Sequence, residues 1–246
     1  VSTPGLQTVA NANKDGRTTH IFSIVTDPAG AGVGISRDNP LGHPAHLAGI
    51  GTFQPVEKLF RVLHEIKPDL KRVGTIWSSA EACSAACLVK ARTICRELGI
   101  TLVETTVDNS AGVREAAQAL TSRGVEAIWI GGDNTVEVAT DAVIGVAAAA
   151  RIPVFTNNPE HSPLGALVTL GANYYEVGRS AGTLAAEILA GRDPATVRIE
   201  DVTPPRLYLN RDALAATRGW QLPPAVLSRA DAVWHDGALD TAAAGR

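Results

Sequence analysis

The sequence predicts an α/β protein built on doubly wound parallel sheets, and two observations carry that reading. Between residues 72 and 158 an apolar strand followed by an amphipathic helix occurs three times before a fourth strand closes the series. Strands fall at 73–77, 102–106, 127–130 and 153–155, with helices at 81–98, 112–122 and 136–150, each long enough to cross a sheet and return. Alternation of this kind builds a parallel sheet with crossover helices. The second observation is a Pro/Gly/Asn-rich loop at 36–44, where composition shifts between an earlier strand at 21–25 and the repeating series. A boundary between two lobes belongs there.

Each element has a local reason. Ser2-Thr3-Pro4 reads as a helix start, with Thr3 as cap and Pro4 at the first helical position, leading into 6–13. The strand at 21–25 runs into Thr26-Asp27-Pro28. Gly30, Gly32 and Gly34 follow, but a dinucleotide fingerprint needs a glycine where Ile35 stands, and Asn39-Pro40-Leu41-Gly42 replaces the helix it requires. Residues 47–51 are extended. The helix at 55–66 keeps Val56, Leu59, Phe60 and Leu63 on one face and is ended by Pro68. After Asn158 the pattern loosens through Pro159-Glu160-His161-Ser162-Pro163, then gives a strand at 166–170 and a helix at 174–190 stopped by Gly191. Residues 202–210 are extended but interrupted by Pro204-Pro205, which predicts an edge strand or a connection. Helical pieces at 212–217 and 224–230 precede an Ala-rich tail from Gly237, expected to fray.

Composition narrows the function. With 246 residues and 45% hydrophobic content the chain can bury real cores. Its net charge of −3 and pI near 6.1, with Lys and Arg scattered, give no electrostatic footprint for nucleic acid. No stretch has the apolar length of a membrane span. The opening Val1-Ser2-Thr3-Pro4 carries no basic segment or apolar signal core. Cys83, Cys87 and Cys95 share one helix and are too few and too oddly spaced for a disulfide framework, so they read as core residues. His43 and His46 in the Pro/Gly-rich loop do not form a metal spacing. No nucleophile elbow, P-loop or Ser/His/Asp set appears, and neither catalytic residues nor a cofactor are expected.

In doubly wound sheets ligands bind outside the carboxyl ends of the strands. Here those positions hold Ser78-Ser79-Ala80-Glu81, Asp108-Asn109-Ser110, Asp133-Asn134-Thr135 and Asn157-Asn158. Ser, Asp and Asn in such places either cap the next helix or line a ligand rim. The glycines before Asp133, Gly131 and Gly132, are read as letting backbone approach a ligand.

Several phrases then combine: Thr26-Asp27-Pro28, Arg72-Val73-Gly74, Asp133-Asn134-Thr135, Arg151-Ile152-Pro153-Val154-Phe155 and the run from Gly171 to Arg179. Their order and spacing, from Val1 to about Trp234, closely resemble a substrate-binding family of ABC transporters whose better-known members bind tryptophan or related amino acids. The resemblance implies a type I periplasmic-binding-protein fold, with two α/β lobes closing on a small molecule and three crossings of the chain. The expected lobes are 1–48 plus 171–201, incomplete, and 49–170 plus 202–246. Members begin with two or three further strand–helix units and an export signal before the segment matching Val1-Ser2-Thr3-Pro4. Either the gene product is longer and the chain is a fragment, which the start inside a motif favours, or it is a divergent, shortened protein; its exposed sheet edge then needs a partner chain or upstream segment as cover. Relatives also carry Asn-Pro at Ser78-Ser79 and an Asp near Asn157.

The expected function is a non-catalytic, extracytoplasmic receptor that captures a small polar metabolite, an amino acid, and delivers it to ABC permease subunits. Ser2, Thr3, Ser78 and Ser79 would hold a carboxylate at helix starts. Asp133 would take the ammonium group, with Asn134, Thr135, Asn157 and Asn158 completing the hydrogen bonds. Thr26 and Asp27 would face them from the other lobe, though Asp27 equally suits an Asp-Pro turn. Glu81 lies on the same rim, and Trp77 ends its strand within reach. A sugar-binding or sensory module, an enzyme on a similar sheet and a transcription regulator are the alternatives. Sugar sites favour aromatic stacking and the chain is only 4% aromatic. A regulator needs an attached DNA-binding segment.

Overall fold

The computed structural model describes residues 3–201 and 205–241 and divides the chain into two units. Unit 1 comprises Val1–Phe53 and Ala172–Pro204, and unit 2 comprises Gln54–Gly171 and Pro205–Arg246. The first unit thus runs past the boundary expected at residue 48. Ser2, a candidate site residue, lies outside the described residues.

Unit 1 is a two-stranded parallel sheet with apolar cover on both faces. Helix α1 (Thr3–Ala12) leads to β1 (His20–Val25), which pairs with β2 (Leu47–Gly51), His20 opposite Leu47. Thr3 is already helical and buried, not the cap that Ser2-Thr3-Pro4 suggests. Side-chain alternation along the strands sets the two faces. Leu6, Phe22, Val25 and Leu47 pack on one side with Ile199. Ala48 and Ile50 pack on the other with Val177 and Leu184 of the helix Tyr174–Leu189. Among the described residues the second edge of β1 pairs with no strand. That edge is irregular, for the register shifts between Phe22 and Val25 and Ile24 sits at φ +59°, exposed. Ile199 N donates to Pro40 O, and Phe53 N to Asp201, whose carboxyl burial holds above its ordinary pKa.

Unit 2 follows the alternation read from the sequence. Helix α2 (Val56–Ile66) precedes β3 (Arg72–Trp77), α3 (Ala82–Glu97), β4 (Thr101–Thr106), α4 (Val113–Ser122) and β5 (Ala127–Ile130). Then come α5 (Asn134–Glu137), α6 (Thr140–Ala149), β6 (Val154–Thr156) and β7 (Val168–Ala172), the last leading into the unit 1 helix α7 (Tyr174–Leu189). The chain closes with β8 (Pro205–Asn210), α8 (Arg211–Ala215), α9 (Pro224–Leu227), β9 (Ala232–His235) and β10 (Ala238–Asp240). The sheet order is β10-β9-β8-β7-β6-β5-β3-β4; β10 runs antiparallel to β9, while the pairs β3–β4, β3–β5, β5–β6, β6–β7 and β8–β9 are parallel.

Central strands buried on both faces are largely apolar, and the wholly buried Ala-Ile-Trp-Ile of β5 is entirely so. Ile128 and Ile130 face α4 and α6, joining Leu120, Val143 and Ala147 in one cluster. Trp129 faces the opposite way and meets Phe60 of α2 edge to face, ring centroids 5.3 Å apart. All three cysteines are free thiols on α3. Burial pushes the thiols of Cys83 and Cys95 up to about 12, which makes them poor nucleophiles.

Three expectations are corrected. The segment expected as an edge strand or connection is β8, an interior strand between β7 and β9; Pro205 is its first residue, where a missing N–H costs the ladder least. The start of the tail expected to fray from Gly237 instead forms β10 on β9, and residues 242–246 lie outside the described residues. The single helix expected at 136–150 is broken into α5 and α6, because Thr140 Oγ1 donates to Glu137 O and competes with the helical ladder.

One close approach fixes the ends of neighbouring strands. A Cβ on Gly171 of β7 would lie 2.0 Å from Asn157 O just beyond β6. Gly171→Ala is therefore expected to destabilise the fold by about 1–3 kcal/mol through forced backbone separation. Urea denaturation measures it, and a change within experimental error contradicts the tight contact.

Candidate functional site

Because β3, β5 and β6 are adjacent and parallel, their carboxyl ends deliver three loops side by side. These carry Trp77-Ser78-Ser79, Asp133-Asn134-Thr135 and Asn157-Asn158, so the clusters read from the sequence do share one sheet edge in unit 2. Asp27 and Thr26 lie in unit 1 after β1. Asp27 closes its turn by accepting Gly30 N–H at 3.0 Å and pairs with Arg37 at 2.8 Å. That pairing holds the Arg37 guanidinium above its ordinary pKa.

Asp133 is 2% exposed. Its Oδ2 accepts Ser78 N–H at 2.6 Å, and its Oδ1 accepts Thr135 and Val136 N–H at 2.9 and 3.1 Å. One carboxylate therefore caps α5 and fastens the end of β3 to the end of β5. A buried charge of this kind is tolerable because N–H dipoles replace its hydration. The ammonium role expected for Asp133 meets a carboxylate already committed to three donors. The glycines before it do not leave room for a ligand either. A Cβ on Gly131 would sit 2.8 Å from the Trp129 ring, and one on Gly132 would sit 2.7 Å from Gln54 Nε2. Both spaces are filled by the protein's own side chains.

Asn157 is similarly occupied. It is 1% exposed, accepts Trp129 Nε1–H at 2.9 Å and donates to Leu170 O at 2.9 Å. Ser78 is buried, whereas Ser79 and Asn134 are exposed and Thr135 and Asn158 are half-buried. Asn134 Nδ2 donates to Glu81 Oε2 at 2.9 Å, bridging the loops after β5 and β3. Trp77 is half-buried, and its indole Nε1 is enclosed without an acceptor.

Two residues of this edge escape a reading of the sequence. Glu137, one turn after Asp133, turns its Oε2 to His161 Nε2 at 2.8 Å and Asn158 Nδ2 at 2.9 Å. His161, 4% exposed, brings Nδ1 to within 2.8 Å of Thr156 Oγ1. The i, i+4 spacing of Asp133 and Glu137 is the one sequence signal that pointed here. His161 sits in a Pro-flanked loop where periodicity says nothing.

The arrangement presents carboxylates at Glu81, Asp133 and Glu137, together with hydroxyl and amide groups. Among the described residues no Lys or Arg forms an ion pair with any of the three, and the basic side chain that does pair is His161, on Glu137. Such an edge is suited to holding a small polar molecule that carries a positive group.

Comparison with known proteins agrees with this fold. Residues 1–234 match the family described as ABC transporter substrate binding protein. The chain is 26% identical over 216 residues to the tyrosine-binding protein of Clostridioides difficile strain R20291, covering 88% of this chain and 61% of that protein. The chain thus spans about three-fifths of the curated relative it matches. A conserved domain protein of Vibrio cholerae superposes with a TM-score of 0.83 at 30% identity, covering 94% of this chain and 76% of the other. A domain from Streptococcus pneumoniae solved with L-Trp gives the same TM-score at 23% identity, covering 94% and 78%, and so supports the fold.

The hydrogen bonds of Asp133 generate a specific expectation. An amide has one acceptor oxygen, so in Asp133→Asn at least one buried N–H faces an NH2 group. The variant should lose about 1–3 kcal/mol of stability even though Asn is as good a helix cap as Asp. Chemical denaturation without added ligand checks this, and unchanged stability contradicts it.

Proposed function

The chain belongs to the ABC transporter substrate binding protein family, and from that premise we propose that it captures an amino acid at the strand-end rim of unit 2. The observation that carries the reading is the convergence of three parallel strand ends on one edge rich in carboxylates, hydroxyls and amides and free of paired Lys or Arg. A zwitterionic ligand matches that chemistry. Its ammonium group calls for a carboxylate, and its own carboxylate for N–H and O–H donors, which Ser79, Thr135 and the open first turn of α3 offer, Glu81 making no side-chain cap there. The enclosed Trp77 Nε1–H is a further donor in want of an acceptor. The tyrosine-binding relative supports the amino-acid class.

In this reading Asn134, Asn158 and Glu81 complete the rim, while Ser78 and Asn157 act through its framework. Ser2, Thr3, Thr26 and Asp27 of unit 1 contribute as further ligand-binding residues. The protein is a receptor without turnover, works outside the cytoplasmic membrane and passes its cargo to permease subunits. The unpaired edge of β1 is the place for a further segment or partner chain. No helix among the described residues is long and apolar enough to cross a membrane.

Calorimetric titration with the twenty amino acids and a panel of monosaccharides tests the reading. At least one amino acid, with L-tyrosine and L-tryptophan as first candidates, should bind in the micromolar range or tighter, about −8 kcal/mol. Saturable binding of a monosaccharide with no response to any amino acid overturns it.

A further inference from the structure

We propose that Glu137 is the residue that receives the ligand's ammonium group and thereby selects amino acids, while Asp133 serves the framework. The assignment deepens the amino-acid reading and rests on it.

The argument begins with a hydroxyl hydrogen. Thr156 is fully buried, and its Oγ1 accepts Asn158 N–H at 2.9 Å. Its own hydrogen needs an acceptor, and His161 Nδ1 at 2.8 Å is the one within reach among the described residues. Nδ1 is therefore placed as the acceptor and Nε2 as the donor of the ring. That Nε2–H points at Glu137 Oε2, 2.8 Å away. The neighbour that resembles a counter-charge is thus a hydrogen-bond donor to one oxygen of the Glu137 carboxylate.

Oε2 takes both His161 and Asn158, at 2.8 and 2.9 Å, which holds that oxygen against the loop after β6. Among the described residues no hydrogen bond reaches Oε1, and the side chain retains 24% exposure. Asp133 differs on each count, for three backbone N–H groups compensate it and it is 2% exposed. Glu81 is held more loosely, by Asn134, which is exposed, and by the weak S–H donor of Cys83 at 3.5 Å. Glu137 thus combines one oxygen held by two nitrogen donors with a second that accepts no hydrogen bond among the described residues, at the protein–solvent boundary. There an ion pair is screened less than on an open surface.

The experiment crosses two changes. Parent and Glu137→Gln are titrated with L-tyrosine and with 3-(4-hydroxyphenyl)propionate, its analogue without the ammonium group, and likewise with L-tryptophan and indole-3-propionate. Glutamine keeps an acceptor for His161 and Asn158, so the loops stay joined. The expected result is about a tenfold or greater loss of affinity for the amino acid and little change for the deaminated analogue. Glu137→Asp, which keeps the charge, should retain preference for the amine, and Glu81→Gln should lose less than Glu137→Gln. Equal loss for both ligands of a pair, or no loss for either, overturns the assignment while the amino-acid reading stands. If the parent binds neither amino acid nor any other of the twenty, that reading falls and Glu137 falls with it. Thermal melting of each variant separates lost binding from lost folding, and the Glu137→Asp comparison decides the matter should Glu137→Gln not fold.

Discussion

A carboxylate withdrawn from water must find donors or a counter-charge, and at Asp133 the backbone supplies them. Ser78, Thr135 and Val136 turn their N–H groups onto its two oxygens at the junction of β3, β5 and α5. The penalty for leaving such a group unpaired runs to several kcal/mol, so the three donors cannot drift independently. The loop after β3 and the first turn of α5 are thus placed by one side chain. Everything on that edge is positioned relative to it: Asn134 reaches Glu81, and Glu137, one helical turn on, reaches the loop after β6.

A second set of contacts completes the edge from the other side. Trp129 faces α2 within the β5 core, and its indole N–H holds Asn157, whose amide in turn holds Leu170. The same ring fills the space over Gly131, and Gln54 fills that over Gly132. Thr156, His161, Asn158 and Glu137 then form a hydrogen-bonded chain between β6 and α5. The rim is therefore held by a polar framework beneath it. What remains open is a small number of groups, which is the pattern of a pre-formed binding site. Under the proposed function, this edge is where a captured solute would meet unit 2.

Much of this was legible in the residues. Strand–helix alternation from β3 to β6 announces itself by periodicity, because the inner strands are buried on both faces and each crossover helix on one. Topology then places the polar clusters on one edge before any coordinate is known. The limits are equally physical. An Asp before a helix looks the same whether it caps or binds, since both tasks use the same oxygens, and only the tertiary partner Ser78 separates them. Glu137 and His161 meet across residues far apart in sequence, so no local pattern could pair them. The break between α5 and α6 depends on one hydroxyl bond from Thr140. The place of β8 inside the sheet depends on β9, a short strand whose pairing nothing nearby signals.

The claim on which the account stands is that the Asp133 carboxylate is filled by backbone donors before any ligand arrives. Hydrogen exchange at single amides tests it most directly. In the ligand-free protein the Ser78 and Val136 amides should exchange as slowly as those of the β5 core, and adding L-tyrosine or L-tryptophan should leave them unchanged. Rapid exchange at both in the free protein, with protection appearing only when an amino acid is added, would show a carboxylate open to the ligand and contradict the account.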